Sequence, residues 1–248
     1  MSVLLLQLAA PLQSWGDSSR FVRRETRGEP TKSGVIGMLA SAQGRSREDS
    51  IEDLLRLSFG VRIEQRGRVI RDLQTEKSMT RKRNSNKFDK EMSLTYRYYL
   101  SDACFLVALG ADRPVLETLE QAIHSPKWPL YLGRRSCPPD YPLSLGIHDE
   151  YADIRQALEQ EPWHAASWYR RRYKFPDLEI VCDALGNEAT SAQSDLPLSF
   201  SSRGRKYADR AIYRYRIGNP DMPQSVNDDT CQPPSFESTG EEDPLNFM

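Results

Sequence analysis

The sequence predicts an α+β fold: a ferredoxin-like domain with a long insertion, followed by a smaller β-rich extension. Two observations favour this fold class. Apolar segments with a period of two alternate with segments of helical period over residues 1–145. Beyond them, residues 146–217 contain mostly short strand-like segments. With 248 residues, of which 38% are hydrophobic and 28% charged, the chain can bury a core without disulfides or metals.

The elements of residues 1–145 approximate the order β-α-β-β-α-β once an extra helix is left out. The first strand is apolar and ends at Pro11, and the first helix opens at Ser33 and ends near Gly44. The central strand has the most regular alternation, and Pro114 suits the first turn of the helix that follows it. The predicted strands are 3–9, 59–64, 69–74, 98–109 and 128–132, and the predicted helices are 33–44, 48–57 and 114–123.

Residues 76–93 differ from their surroundings because they are basic and have few apolar residues. They lie between two predicted strands. Loops of this length without regular structure are usually functional or disordered. The cations are Lys77, Arg81, Lys82, Arg83, Lys87 and Lys90.

The last segments divide into a small subdomain and a tail. Within 146–217 we predict a helix at 153–160 and strands at 178–182 and 211–217. Residues 218–248 contain seven acidic residues and no Lys or Arg, so we expect a disordered acidic tail that binding of a polyanion would not need. Residues 1–217 contain 34 basic and 28 acidic residues, a net charge of +6. A basic body suits a polyanionic partner, although a solvated tail on an ordinary mixed surface has the same composition.

Several classes of protein are disfavoured. The first apolar run is too short to span a bilayer and lacks the basic start of a signal peptide, so we expect a cytoplasmic protein with no membrane partner. The four cysteines are far apart without a CxxC pair, which argues against a disulfide framework. The three histidines do not have metal-ligand spacing, and no cofactor is predicted.

Two loops are candidate binding sites. Lys32, Ser33 and Gly34 open a helix whose free N–H groups and dipole favour an anion, although they also fit an ordinary capped helix. Gln13 and Trp15 precede a run of arginines that ends at Arg27. A tryptophan in such a loop can stack a base, but it can equally close the edge of the core.

Three basic segments are further candidates. The insertion and Arg97 suit a phosphate backbone. The pair Arg134 and Arg135 follows a glycine and can grip phosphate bidentately. Residues 168–174 interleave aromatics with cations, a pattern of RNA surfaces and of edge strands alike. Each segment is also compatible with plain surface charge.

Catalysis has little support in the sequence. Metal-independent RNA cleavage needs a general acid and a base, most often histidine, and only His164 lies near an aromatic or basic cluster. Two alternatives to a binding role stay open: a metal-independent endoribonuclease that processes repeat RNA, and a scaffold that contacts only proteins.

Five blocks in order resemble the CasD family, the 5′-handle-binding RAMP subunit of the type I-E CRISPR Cascade complex. The blocks are 4–16, 30–37, 99–103, 131–138 and 200–203. The resemblance is strong over 1–145, thin over 150–195 and absent after 217.

The resemblance implies a RAMP-type fold in which residues 76–96 form a thumb. It also implies a non-catalytic role: the subunit would cap the 5′ handle of the guide crRNA. The partners would be the guide, the Cascade backbone subunit, the large PAM-recognising subunit and, indirectly, the target DNA. The implied RNA contacts are Gln13, Trp15, Arg27, Lys32, Ser33, Gly34, Lys77, Arg81, Lys82, Arg83, Arg97, Arg134 and Arg135.

Overall fold

The computed structural model describes residues 1–16, 22–75, 94–140 and 142–223. These residues form nine strands and five helices. The strands are β1 (Ser2–Gln13), β2 (Arg23–Arg24), β3 (Ser58–Gln65), β4 (Arg68–Gln74), β5 (Thr95–Ala111), β6 (Ser144–His148), β7 (Leu178–Asp183), β8 (Ser191–Ser199) and β9 (Lys206–Ile217). The helices are α1 (Lys32–Ala42), α2 (Glu52–Leu55), α3 (Arg113–His124), α4 (Ile154–Gln160) and α5 (Ser167–Tyr173).

All nine strands belong to one sheet. Its main path runs β6-β1-β5-β3-β7-β9-β8, and every neighbouring pair on that path is antiparallel. β4 and the two-residue β2 pair with the first part of β5, off this path. The strands of residues 146–217 therefore extend the same sheet beyond β3, and the domain boundary predicted at 145/146 falls within β6.

β5 is the strand on which the sheet is built. Its first part pairs with β4, its later part lies between β1 and β3, and Ser101 is in register with both Leu12 and Arg68. Phe105 and Val107 face one core, whereas Leu106 faces the other. Because both faces of the sheet are covered here, the strand is a nearly continuous apolar run.

The alternation along β1 assigns a helix layer to each face. Leu4 and Leu6 pack in the cluster that holds α1 and α3. Val3 and Leu5 point the other way and pack against Ile154 of α4. The period of two in the first residues thus determines which helix covers which face.

β4 is less covered than the rest. Its side chains Val69, Ile70 and Leu73 are 43%, 40% and 53% exposed. Among the described strands β4 pairs only with β5, so its outer edge has no strand neighbour there.

Two predicted elements differ in the structure. The strand predicted at 128–132 is absent, since Pro129 cannot donate to a ladder, and β6 pairs with β1 instead. The helix predicted at 48–57 shrinks to the single turn of α2. Asp49 accepts bonds from the backbone N and the hydroxyl of Ser46, and such local bonds compete with helix formation.

Two further strands, β1 and β8, differ from the sequence prediction. β1 continues through Pro11 to Gln13, because β6 pairs only with its first residues and a proline is tolerated on an edge. β8 was not predicted at all. Its inward side chains include the buried polar residues Gln193 and Asp195, so the apolar alternation that marks a strand is missing.

Four charged side chains join α1 to the C-terminal strands, and we call them the buried charge cluster: Lys32, Asp183, Asp195 and Arg210. The Lys32 Nζ lies 3.1 Å from a carboxylate oxygen of Asp183, and its backbone N donates to Asp195 at 2.8 Å. Arg210 donates to Asp195 at 2.8 and 2.9 Å and to Asp183 at 2.8 Å. Each charge has a partner of opposite sign, as buried charges require.

A second buried pair fastens the segment after α4 to the sheet. Arg62 and Glu64 are both fully buried, and the Arg62 Nε donates to the Glu64 carboxylate at 2.5 Å. The same guanidinium donates to the carbonyls of Leu158, Glu161 and Pro162 at 2.6–2.7 Å.

We expect Arg62→Met to lower the free energy of unfolding by about 3–5 kcal/mol, because it leaves the Glu64 carboxylate buried without its cation. Urea denaturation of the full chain measures this loss. The matched control is Arg68→Met on the exposed strand β4, for which we expect a change within about 0.5 kcal/mol. Equal stability of the two variants would contradict the assigned role of Arg62.

Candidate nucleic-acid interface

A cavity of about 810 Å³, which we call the groove, opens where four parts of the chain meet. They are the segment after β1 with residues 24–25, α1 with the loop that follows it, residues 129–135, and the turn between β8 and β9. Its lining contains six arginines and one acid, Glu25. The arginines are Arg24, Arg45, Arg47, Arg134, Arg135 and Arg205.

Three of these arginines present their charge to solvent. Arg47, Arg135 and Arg205 are exposed, and among the described residues none of them has a hydrogen-bond or ion-pair partner. Unpaired guanidinium groups around a concave surface are suited to phosphate, which they can bind bidentately.

Arg45 differs because it is already paired. Its Nη1 donates to Asp53 at 2.6 Å and to the Ser50 carbonyl at 2.9 Å. The hydrogen bond to Asp53 raises the pKa of Arg45 and lowers the pKa of the Asp53 carboxyl. The pair therefore adds little net charge to the groove and mainly fixes the chain after α1.

Arg134 is half-buried and held by three contacts. Its Nη1 donates to the Tyr98 carbonyl at 3.1 Å, and its Nη2 donates to the Arg24 carbonyl at 2.9 Å. Its guanidinium carbon lies 4.6 Å from the centroid of the Tyr99 ring. Arg134 thus ties the groove to β2 and to the start of β5, and its neighbour Arg135 is the more exposed of the predicted pair.

Gln13 and Trp15 are buried at the base of the groove, where Trp15 forms part of its lining. They are 0% and 1% exposed, and the Trp15 Nε1 donates to the Gln13 Oε1 at 3.0 Å. The Gln13 amide also donates to the carbonyls of Leu8 and Ala103 at 3.0 and 2.8 Å. With these contacts the indole closes the edge of the core, so the base-stacking role expected for Trp15 lacks the exposed ring that it needs.

The start of α1 is also satisfied from within. Thr31 caps the helix by accepting a bond from the Gly34 backbone N at 3.2 Å, and Asp195 supplies a carboxylate to the first turn. Lys32 is 4% exposed and donates to the Leu57 carbonyl at 2.8 Å. An internal carboxylate therefore occupies the helix end for which we predicted an anion site, and Ser33 is 6% exposed.

Two glycines allow the close packing beneath the groove. A Cβ at Gly34 would lie 2.8 Å from the Cε3 of Trp15. Gly133 has a φ of +93°, and a Cβ there would lie 1.7 Å from the Ser14 carbonyl oxygen. Any side chain at Gly133 would force residues 129–135 away from Ser14, which directly follows β1.

The other predicted contacts lie outside the groove lining. Arg97 is half-buried in β5, in register with Asp72 of β4 and Arg24 of β2. Arg27 is half-buried, and its backbone N donates to the Trp15 carbonyl at 2.8 Å. Lys77, Arg81, Lys82 and Arg83 lie outside the described residues.

Several lining residues were missed from the sequence. Arg47 and Arg205 stand in short loops, three residues after Gly44 and directly after Gly204, and arginines in such loops are too common to mark a site. Besides Trp15, three aromatic side chains line the groove, one from residues 129–135, one from the β8–β9 turn and one from the start of β9. They are Tyr131, Phe200 and Tyr207.

The groove offers little for acid–base or nucleophilic chemistry. No histidine is among the described lining residues. Cys137 lies two residues after Arg135 of the groove lining. Burial raises the pKa of its thiol, so the thiol stays protonated at neutral pH. In the described part of the chain, no group of three or more His, Cys, Asp or Glu residues is arranged to hold a metal ion. No helix within the described ranges is long and apolar enough to cross a membrane.

Comparison with known proteins gives consistent matches. The family described as CRISPR-associated protein (Cas_Cas5) matches residues 3–213. The CRISPR system Cascade subunit CasD of Escherichia coli (strain K12) is 34% identical over 174 residues, which cover 65% of this chain and 78% of that protein. A chain of a CRISPR RNA-guided surveillance complex is 32% identical, with a TM-score of 0.71 and coverage of 88% and 91%. A crystal structure of a Cas protein is 35% identical, with a TM-score of 0.66 and coverage of 89% and 97%.

We expect Gly133→Ala to destabilise the chain by roughly 3 kcal/mol or more, because it combines a left-handed φ with a clash against the Ser14 carbonyl. Gly186→Ala is the matched control. Gly186 also has a positive φ, but a Cβ there would meet no atom within 4 Å, so it reports the backbone strain alone, about 1–2 kcal/mol. Thermal unfolding measures both, and equal losses would refute the close contact at Gly133.

Proposed function

The chain belongs to the CRISPR-associated Cas5 family, and on that premise we propose that it is a non-catalytic subunit of a type I-E Cascade complex that caps the 5′ handle of the guide crRNA. The observation that carries the proposal is the groove. It is concave, its lining has six arginines and one acid, and three of those arginines are exposed and unpaired among the described residues.

The groove suits a single RNA strand whose bases are unpaired and turned outward. Arg47, Arg135 and Arg205 would contact phosphates, which gives affinity that depends on salt concentration. The half-buried aromatic residues Phe200 and Tyr207 would stack unpaired bases, as single-stranded RNA segments are commonly held.

The residues implied by the resemblance divide into three groups under this proposal. Gln13, Trp15, Lys32, Ser33 and Gly34 shape the groove from below, since the side chains among them are buried. Arg134 and Arg135 lie at the surface of the groove. Arg27, Arg97 and the thumb cations Lys77, Arg81, Lys82 and Arg83 would extend the RNA path beyond it.

The strand order supports assigning a ferredoxin-like, RAMP-type core. β6, β1, β5 and β3 are consecutive neighbours and all antiparallel, with α1 between β1 and β3 in the chain and α3 between β5 and β6. A β-α-β-β-α-β unit has this connectivity if β4 is taken as an extension beside the start of β5.

The proposed partners are the guide crRNA, the Cascade backbone subunit and the large subunit. Target DNA would be recognised by base pairing with the guide, so this subunit need not read its sequence. The subunit would hold one end of the guide and so define where pairing begins.

We expect the double variant Arg135→Ala/Arg205→Ala to retain less guide RNA in the assembled complex. Loss of two phosphate contacts on a single strand should reduce the slope of log K against log salt concentration by about 1.4. The control Arg56→Ala/Lys127→Ala removes the same charge from exposed residues outside the groove. Unchanged retention and slope in the groove variant would contradict the proposed RNA path.

We expect the purified chain to leave end-labelled CRISPR repeat RNA intact in the absence of metal, because the described groove lining lacks a histidine to act as acid or base. Gel electrophoresis after prolonged incubation gives the result. The positive control is a metal-independent endoribonuclease that cleaves the same RNA. A specific cut by this chain would establish the endoribonuclease alternative instead.

A further inference from the structure

Helix α5 presents an exposed surface that the groove does not explain, which we call the α5 face: Trp168, Arg171, Arg172 and Phe175. The first three stand at positions i, i+3 and i+4, so they share one side of the helix. Trp168 is 47% exposed and Phe175 is 37% exposed. An indole and a phenyl ring at the surface, with two arginines between them in the chain, need an explanation beyond packing.

The α5 face rests on a fixed support. Tyr169 is buried, and its ring centroid lies 6.2 Å from that of the buried Trp163. Arg170 lies over the Trp163 ring at 5.6 Å and donates to the Ala165 carbonyl at 2.8 Å and to the Trp163 carbonyl. One side of the helix is thus held by the core; on the α5 face, the Trp168 ring meets Tyr169 edge-on, with centroids 5.6 Å apart, and Arg171 and Arg172 are exposed.

The backbone after α5 is strained. Lys174 and Phe175 have φ values of 25° and 52°, and neither is glycine. Left-handed conformations of this kind cost of order 1–3 kcal/mol each and persist where the surroundings or a function require them. Here they turn the chain so that the Phe175 ring stays near Trp163, with centroids 6.3 Å apart, and remains partly exposed.

The two arginines of the α5 face have no acidic partner in the described structure. Arg171 makes no hydrogen bond or ion pair there, and Arg172 contacts only the Tyr173 ring, at 5.6 Å. The nearby carboxylate of Asp221 is bonded to Arg170 instead. Cations do stabilise a helix C-terminus, by about 0.3–1 kcal/mol each, but that effect does not account for the exposed Trp168.

The α5 face lies on the opposite side of the sheet from the groove. Leu178, Ile180 and Cys182 share one face of β7; Leu178 packs with the α5 cluster, and the other two pack with α4. The groove is lined instead by α1 and its surroundings, which cover the other face. A strand bound in the groove would therefore leave the α5 face available to a different strand.

We propose that the α5 face binds single-stranded DNA, namely the strand that is displaced when the guide pairs with its target. The proposal rests on the proposed function, because a displaced strand exists only where a guide opens a duplex. Trp168 and Phe175 stack bases without sequence preference, and Arg171 and Arg172 neutralise phosphates. The excess of unpaired positive charge favours this polyanion over a protein partner.

The test measures binding of a fluorescein-labelled dT20 oligonucleotide to the full chain carrying Arg135→Ala/Arg205→Ala, which reduces binding in the groove. Adding Arg171→Ala/Arg172→Ala should lower the slope of log K against log salt concentration by about 1.4. Adding Trp168→Ala should weaken binding about tenfold with the slope unchanged, whereas Trp168→Phe keeps a stacking ring and most of the affinity. Arg56→Ala/Lys127→Ala is the charge-matched control.

Two further measurements separate the alternatives. In the assembled complex, Arg171→Ala/Arg172→Ala should retain guide RNA like the wild type, which distinguishes this site from the groove even if the groove proposal fails. Bromodeoxyuridine in the displaced strand should crosslink to the peptide that contains Trp168. The proposal is overturned if dT20 binding and its salt slope are unchanged, if guide RNA is lost instead, or if the variant releases a protein subunit while its DNA binding is intact.

Discussion

The geometry of the groove depends on the buried charge cluster. Removing Lys32, Asp183, Asp195 and Arg210 from water costs several kcal/mol for each ion, a cost that is offset only when the partners meet in good geometry. Because these four residues come from α1, β7, β8 and β9, the requirement fixes the start of α1 against the C-terminal hairpin. Both elements line the groove, so the buried charge cluster helps to fix the geometry of the groove.

The cluster also explains why an anion site predicted at the start of α1 is not free. The features that suggested a phosphate, namely free N–H groups, a helix dipole and Lys32, are the same features that attract an internal carboxylate. Asp195, 163 residues away in the chain, accepts a bond from the Lys32 backbone N, and Asp183 pairs with the Lys32 Nζ. A sequence shows that a helix end can bind an anion, but it does not show whether the chain itself supplies one.

Local periodicity sufficed for elements whose residues obey one simple rule. β5 and α3 were predicted to within a few residues because their apolar side chains repeat with the period of a strand or a helix. β8 was not predicted because its inward residues include the polar Gln193 and Asp195. Asp195 meets its partner Arg210 only in the folded sheet. At the groove, Arg134 and Arg135 stood out as a pair, whereas Arg47 and Arg205 become neighbours of that site only through the tertiary fold.

The edge strand β4, with its exposed apolar side chains, affects how the chain behaves when nothing covers it. Within the ranges that the structure describes, its outer edge has no strand neighbour, and such an edge is a ready template for pairing with another chain. An edge of this kind favours self-association unless another segment or another chain covers it. The fraction of chains that stay separate in solution therefore depends on how many of these edges are covered.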